Sequence, residues 1–248
     1  MASLAAASEA EISSSPAKPI DILPAKPIDI LPNQIATLYA NLHPVLLLSI
    51  VLVNFRLLVQ DPVSTLAAVA PITGLLQAVY CVLCLPSTGQ APPPKPGQKK
   101  KTTKNGQDVW ARIVPAFLSS VLTLTLSTPL LYIVLILFGA PLTTHHPQTL
   151  LLALHLALLT TPQLFYAHGL DAQTWLRIAS LQLPVDEVYG MGLGACAGAW
   201  VGAIPIPLDW DREWQKWPVT VLVGLYMGAM VGKVLCGFVF KGWRIQLR

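Results

Sequence analysis

Two aspartates one residue apart, Asp209 and Asp211, lie in the stretch AIPIPLDWDREWQKWP (203–218) beside Arg212, Glu213 and Lys216. Paired carboxylates can hold a divalent cation. A hard cation, however, takes roughly six to eight oxygen ligands, and no histidine lies close in sequence to add to these two. The same stretch carries Trp210, Trp214 and Trp217 and the prolines Pro205 and Pro207. Tryptophans crowded beside an apolar run read as an interfacial belt or a partner contact before they read as a metal site.

Other chemistry-bearing side chains are scattered. Arg56, His155 and Lys233 fall inside apolar runs, where a charge at mid-depth costs at least ~2.5–3.5 kcal/mol. Arg56 is one turn from the end of its run and can snorkel to water. Lys233 is two turns from its end and can snorkel or pair with Asp186 or Glu187. His155 is deeper, and a hydrogen bond to a neighbouring helix is its simplest use. Cys81 and Cys84 form a CxxC with neither a second CxxC nor a histidine pair at zinc spacing, so they read as buried thiols. His145 and His146 are adjacent and do not face one way. No nucleophile elbow, phosphate loop or HExxH occurs, and no catalytic residue, metal or cofactor is expected.

The most regular pattern is made of glycine. Gly190, Gly194, Gly198 and Gly202 recur every fourth residue, and so do Gly224, Gly228 and Gly232 after one short loop. Residues four apart share a helix face, and a face without side chains lets two backbones approach closely. The ladders predict that these two helices pack on each other or jointly on a partner helix. Gly192 to Ala197 also fits GxGxxA, but that fingerprint needs a preceding strand and a βαβ unit, for which nothing in the pattern speaks.

The elements that carry these residues follow from composition. Of 248 residues, 54% are hydrophobic and 11% charged, against roughly a quarter charged in soluble domains. Apolar runs at 42–60, 63–85, 113–139, 148–168, 188–206 and 218–240 each have about the length that crosses hydrocarbon. The fold class is all-α integral membrane with about six transmembrane helices. Four segments follow: a disordered tail over 1–40, a transmembrane hairpin over 41–85, a basic Pro-rich linker over 86–109, and a four-helix transmembrane region over 110–248 with its polar loop at 205–217. The tail holds AKPIDILP twice in tandem, and its two prolines per repeat favour extended chain. It lacks the basic and apolar regions of a cleavable secretory signal, leaving targeting to the first span. Pro44 is expected in the first turn of that span. Pro115, Pro129 and Pro162 are expected to kink the third and fourth, with the hydroxyls of SSVLTLTLST bonding back one turn. Alternating sides place twelve of the sixteen Lys and Arg on the side of both termini and only Arg212 and Lys216 opposite, which makes both termini cytosolic.

The stretch GAWVGAIPIPLDWDREWQKWPVTVLVG (198–224) resembles the signature of the Pig-F family of glycosylphosphatidylinositol (GPI) anchor synthesis. The residues that carry the match are Gly198, Ala199, Trp200, Gly202, Ala203, Pro205, Ile206, Pro207, Leu208, Asp209, Trp210, Asp211, Arg212, Trp214, Gln215, Trp217 and Pro218. Glu213 and Lys216 depart from the pattern, where proline and an apolar residue are usual. The resemblance implies a multi-pass protein of the endoplasmic reticulum membrane. Its implied partner is a large multi-spanning enzyme that transfers phosphoethanolamine to GPI mannoses through a luminal metal-dependent domain, and its implied role is that of a non-catalytic stabilising subunit. Loop 205–217 then faces the lumen, and the glycine-faced helices dock on the enzyme. Two alternatives are an intramembrane lipid transferase using Asp209 and Asp211, and a lipid transporter or scramblase with Arg56, His155 and Lys233 along a polar groove.

Overall fold

The computed structural model describes residues 26–88, 105–208 and 210–244, with side chains from Trp110 onward in the second segment. The first repeat copy, most of the basic linker and Asp209 lie outside these residues. Every regular element is helical among the described residues. The helices are α1 (Gln34–Val53), α2 (Phe55–Gln60), α3 (Pro62–Cys84), α4 (Asn105–Leu122), α5 (Thr128–Leu137), α6 (His146–Thr160), α7 (Pro162–His168), α8 (Ala172–Ala179), α9 (Glu187–Ala203) and α10 (Val219–Val234). Five segments are long and apolar enough to cross a membrane: Gln34–Val53, Pro62–Cys84, Trp110–Leu137, His146–His168 and Val219–Val239. The remaining expected span, α9, has 17 residues and lies antiparallel along α10.

Residues 26–40, part of the segment expected to lack order over 1–40, are held by contacts to the rest of the chain, while residues 1–25 lie outside the described residues. Ile28 N–H donates to Asp186 Oδ2 at 2.9 Å, Leu31 N–H donates to the Cys84 carbonyl at 2.9 Å, and Lys241 pairs with Asp29 at 2.6 Å. The second AKPIDILP copy thereby supplies a donor to the last carbonyl of α3, which has no partner within its own helix. Asn33 caps α1 by accepting from Ala36 N–H at 2.6 Å. With the cap there, Pro44 falls inside α1 rather than in its first turn.

Pro71 and Pro115 are likewise carried inside α3 and α4 without interrupting them, so no break falls at Pro115, one of the expected kinks, whereas breaks do fall beside Pro129 and Pro162. Asn54 interrupts the first run, leaving α2 as a separate short helix. A π turn over Thr123–Ser127 precedes Pro129, and the fourth run breaks at Thr161 before Pro162. Ser119, Ser120, Thr123 and Thr125 each bond the carbonyl four residues back, as their type and position predict. Gln60-Asp61-Pro62 forms the tight link between the first two runs, with Asp61 capping α3 through Ser64 N–H.

Candidate functional site

The two glycine ladders face each other. A Cβ added at Gly198 would stand 2.1 Å from the Gly224 carbonyl oxygen, and one added at Gly228 would stand 2.2 Å from that of Gly194. Gly194, Gly202, Gly224 and Gly232 give the same result at 2.2–2.4 Å, each against backbone of the other helix. At Gly190 the collision is with Cys236 Cβ at 2.1 Å. At these distances no side chain fits without moving a helix. The sequence left open packing on each other or on a partner, and the fold uses these faces internally. They are therefore filled before any other protein arrives.

Proline explains the second cluster. Pro44 has no N–H, so the Ala40 carbonyl one turn back has no helical donor. Lys233 fills that vacancy: its Nζ lies 3.1 Å from Ala40 O, 3.2 Å from His43 Nδ1, 3.0 Å from Glu187 Oε1, and 4.0 Å from the centre of the Tyr80 ring. Lys233 is only 2% exposed, and His43 stacks on Tyr80 at 4.5 Å. Of the two uses expected for Lys233, the structure realises the pairing, with Glu187. Asp186 instead caps α9 and ties down the strap at Ile28. Burial raises the Asp186 carboxyl above its ordinary range, against the pull of the backbone N–H groups of Tyr189, Ile28 and Val188.

Next to this cluster the polar interior continues. Gln163 donates to Gln77, and Gln163 Nε2 also approaches Met191 Sδ at 3.6 Å. His155 sits further along, with Nδ1 2.8 Å from the Tyr226 hydroxyl and Nε2 3.1 Å from the Leu66 carbonyl; Tyr226 in turn meets Thr73 at 2.8 Å. These contacts join α1, α3, α6, α7, α9 and α10 where an unpaired polar group would cost several kcal/mol. Arg56 is not part of them. It is exposed on α2, beyond the end of the first candidate span. The expected trio of Arg56, His155 and Lys233 thus lines no common path.

The polar loop is built around one residue. Gln215 Nε2 donates to the carbonyls of Pro205 and Leu208, each at 2.7 Å, and its Oε1 accepts from Arg212 N–H at 2.9 Å. Trp217 Nε1 donates to Thr149 Oγ1 at 3.1 Å, fastening the loop to the start of α6. Trp210 and Trp214 stack at a tilt, 5.8 Å apart, and Lys216 pairs with Glu213. Asp211 and Arg212 are exposed, with Asp211 in the left-handed region at φ 49°; Pro207 is exposed and Pro205 half-buried. Cys81 and Cys84 are buried free thiols, the latter donating to Ala36 O. No group of three or more His, Cys, Asp or Glu side chains converges as a metal site would, among the described residues.

Reasoning from sequence missed His43, Tyr80 and Gln77 as partners of the buried interior, and Gln215 as the loop's staple. Two signals could have found some of them. Pro44 inside a helix demands a foreign donor near Ala40, and Arg212-x-x-Gln215 has the spacing of a capping box.

The sequence model of the GPI biosynthesis protein family Pig-F matches residues 42–237. Glycosylphosphatidylinositol anchor biosynthesis protein 11 of Neurospora crassa is 45% identical over 204 residues, covering 80% of this chain and 74% of that protein. Its counterpart from Aspergillus fumigatus is 39% identical over 262 residues, covering 92% and 86%. A PIGF/3-ketodihydrosphingosine reductase fusion protein of Schizosaccharomyces pombe is 35% identical over 125 residues, which is 48% of this chain and 25% of the fusion. No solved structure matches. The matched span takes in the hairpin, both glycine ladders, the buried lysine and the tryptophan loop together, and on that evidence the chain belongs to the Pig-F family of GPI biosynthesis proteins.

Proposed function

We propose that this chain is a non-catalytic, stabilising subunit of a GPI phosphoethanolamine transferase in the endoplasmic reticulum membrane. The observation that carries the reading is where its polar side chains go. Lys233, Glu187, His43, His155, Tyr226, Thr73 and Gln215 are bonded to one another or to backbone carbonyls within the fold. Catalysis needs an acid, base or nucleophile held toward a reacting atom. Here these groups are turned toward helix packing.

The partner is a large multi-spanning transferase bearing the luminal chemistry. With α9 crossing alongside α10, the chain makes six crossings, both termini are cytosolic and loop 205–217 is luminal. The 17 residues of α9 rise roughly 25 Å, close to the ~30 Å hydrocarbon thickness. Because the ladders are filled internally, the transferase docks on outward faces. Trp200 near the loop end of α9 and Trp210 in the loop are both exposed and are available to such a partner.

Co-purification of the tagged full chain in mild detergent, with mass spectrometry of what stays bound, tests this. A multi-spanning transferase is expected, and Trp200→Ala with Trp210→Ala should release it while the chain stays monodisperse. Phosphoethanolamine transfer by the purified chain alone would overturn the proposal.

A further inference from the structure

The strap that leads into α1 is one of two identical segments. AKPIDILP occupies 17–24 and again 25–32, and the second copy has a defined seat. Ile28 N–H donates to Asp186 Oδ2 at 2.9 Å, Leu31 N–H donates to the Cys84 carbonyl at 2.9 Å, and Asp29 pairs with Lys241 at 2.6 Å. Ile28, Ile30 and Leu31 are half-buried against the apolar cluster that holds Leu85 and Tyr189. Every group this seat reads recurs eight residues earlier, in Ile20, Asp21, Ile22 and Leu23. We propose that the seat is exchangeable: the first copy of the same chain replaces the second, with Asp21 on Lys241 and residues 25–32 looped out.

Two physical terms set the exchange. The first is that the seat demands an occupant. Asp186 and Cys84 are both buried, and Cys84, as the last residue of α3, has a carbonyl with no donor in its own helix. An empty seat would strand a buried carboxylate oxygen and a buried carbonyl, which is the costly side of hydrogen bonding. Either copy supplies the same N–H groups, the same apolar side chains and the same carboxylate. The second term is the chain that joins the occupant to α1. From Leu31 to the cap at Asn33 is two residues, and from Leu23 it is ten. Loop-closure entropy grows with the three-halves power of loop length, which favours the second copy by about tenfold. That margin is small beside one hydrogen bond to a charged group, which is worth roughly 10–100-fold. Damage to the second copy therefore hands the seat to the first.

The test joins Lys241 to its carboxylate partner with a water-soluble carbodiimide, using the full chain in mild detergent, and locates the new amide by tandem mass spectrometry. In the wild type the Lys241–Asp29 product should exceed Lys241–Asp21 by about tenfold. Ile28→Pro deletes the N–H that bonds Asp186 but keeps Asp29 as a reporter, and it should bring the ratio to parity or reverse it. Ile30→Asn sets an amide against the apolar cluster; it should shift the ratio the same way and serves if the first variant does not fold. Ile20→Pro should remove the Asp21 product, alone or combined with Ile28→Pro. A ratio still near ten in the folded second-copy variants would overturn the proposal. So would an Asp21 product that survives Ile20→Pro, which would report mere tethering. In a mixture of unlabelled and 15N-labelled chains, an Asp21 product that joins two different chains would overturn it as well.

Discussion

Gly192 and Gly198 are on the same helix, and replacing each by alanine should have opposite effects. At Gly198 the new Cβ would be 2.1 Å from Gly224 O and 2.7 Å from Gly228 Cα. Reaching even the lower edge of ordinary contact, 3.4 Å, requires α9 and α10 to part by about 1.3 Å. A radial gap of ~0.5–1 Å already forfeits a quarter to a half of a dispersion well, so neighbouring rungs loosen too. Overpacking of this kind costs about 1–3 kcal/mol, and the obstacle here is backbone, which puts Gly198→Ala at the upper end. At Gly192 the same methyl meets Thr160 at 3.8 Å, and alanine gains roughly 0.5–1 kcal/mol over glycine within a helix. Chemical unfolding of each full-length variant in the same mild detergent, followed by tryptophan fluorescence, gives the two values. Equal effects at the two positions, or a neutral Gly198→Ala, would refute the reading of the ladder as a filled backbone contact.

Three further outcomes follow from the same geometry. Lys233→Met leaves Glu187 and the Ala40 carbonyl without their donor and should destabilise by about 3–5 kcal/mol; Pro44→Ala, which restores an N–H to Ala40, should recover part of that loss in a double-mutant cycle. Gln215→Ala removes three hydrogen bonds from loop 205–217, so amide exchange and protease cleavage should rise there while α9 and α10 keep their protection. Asp171 caps α8, and its carboxyl is held below the usual range, first by the Thr174 hydroxyl and then by the Thr174 N–H. A lowered folded pKa means the cap stabilises α8 above the ordinary carboxylate value of ~3.9 and fails as pH falls through the folded value. Trp175 fluorescence should report that acid loosening in the wild type and lose its pH dependence in Asp171→Asn.

The sequence by itself determined the membrane class, most of the span positions, the prolines at two of the breaks and the two glycine ladders as side-chain-free helix faces. Each depends on periodicity, length or the covalent nature of one residue, and such properties act within a dozen neighbours. Even the loop's family signature is contiguous. What the sequence left undecided was which distant groups meet. That α9 and α10 fill each other's glycine faces, that Lys233 answers a carbonyl freed by Pro44 far earlier in the chain, and that Ile28 reaches Asp186 are results of tertiary packing. Proline dictates that a donor is missing, but only the bundle decides which side chain, brought close by several helices at once, supplies it.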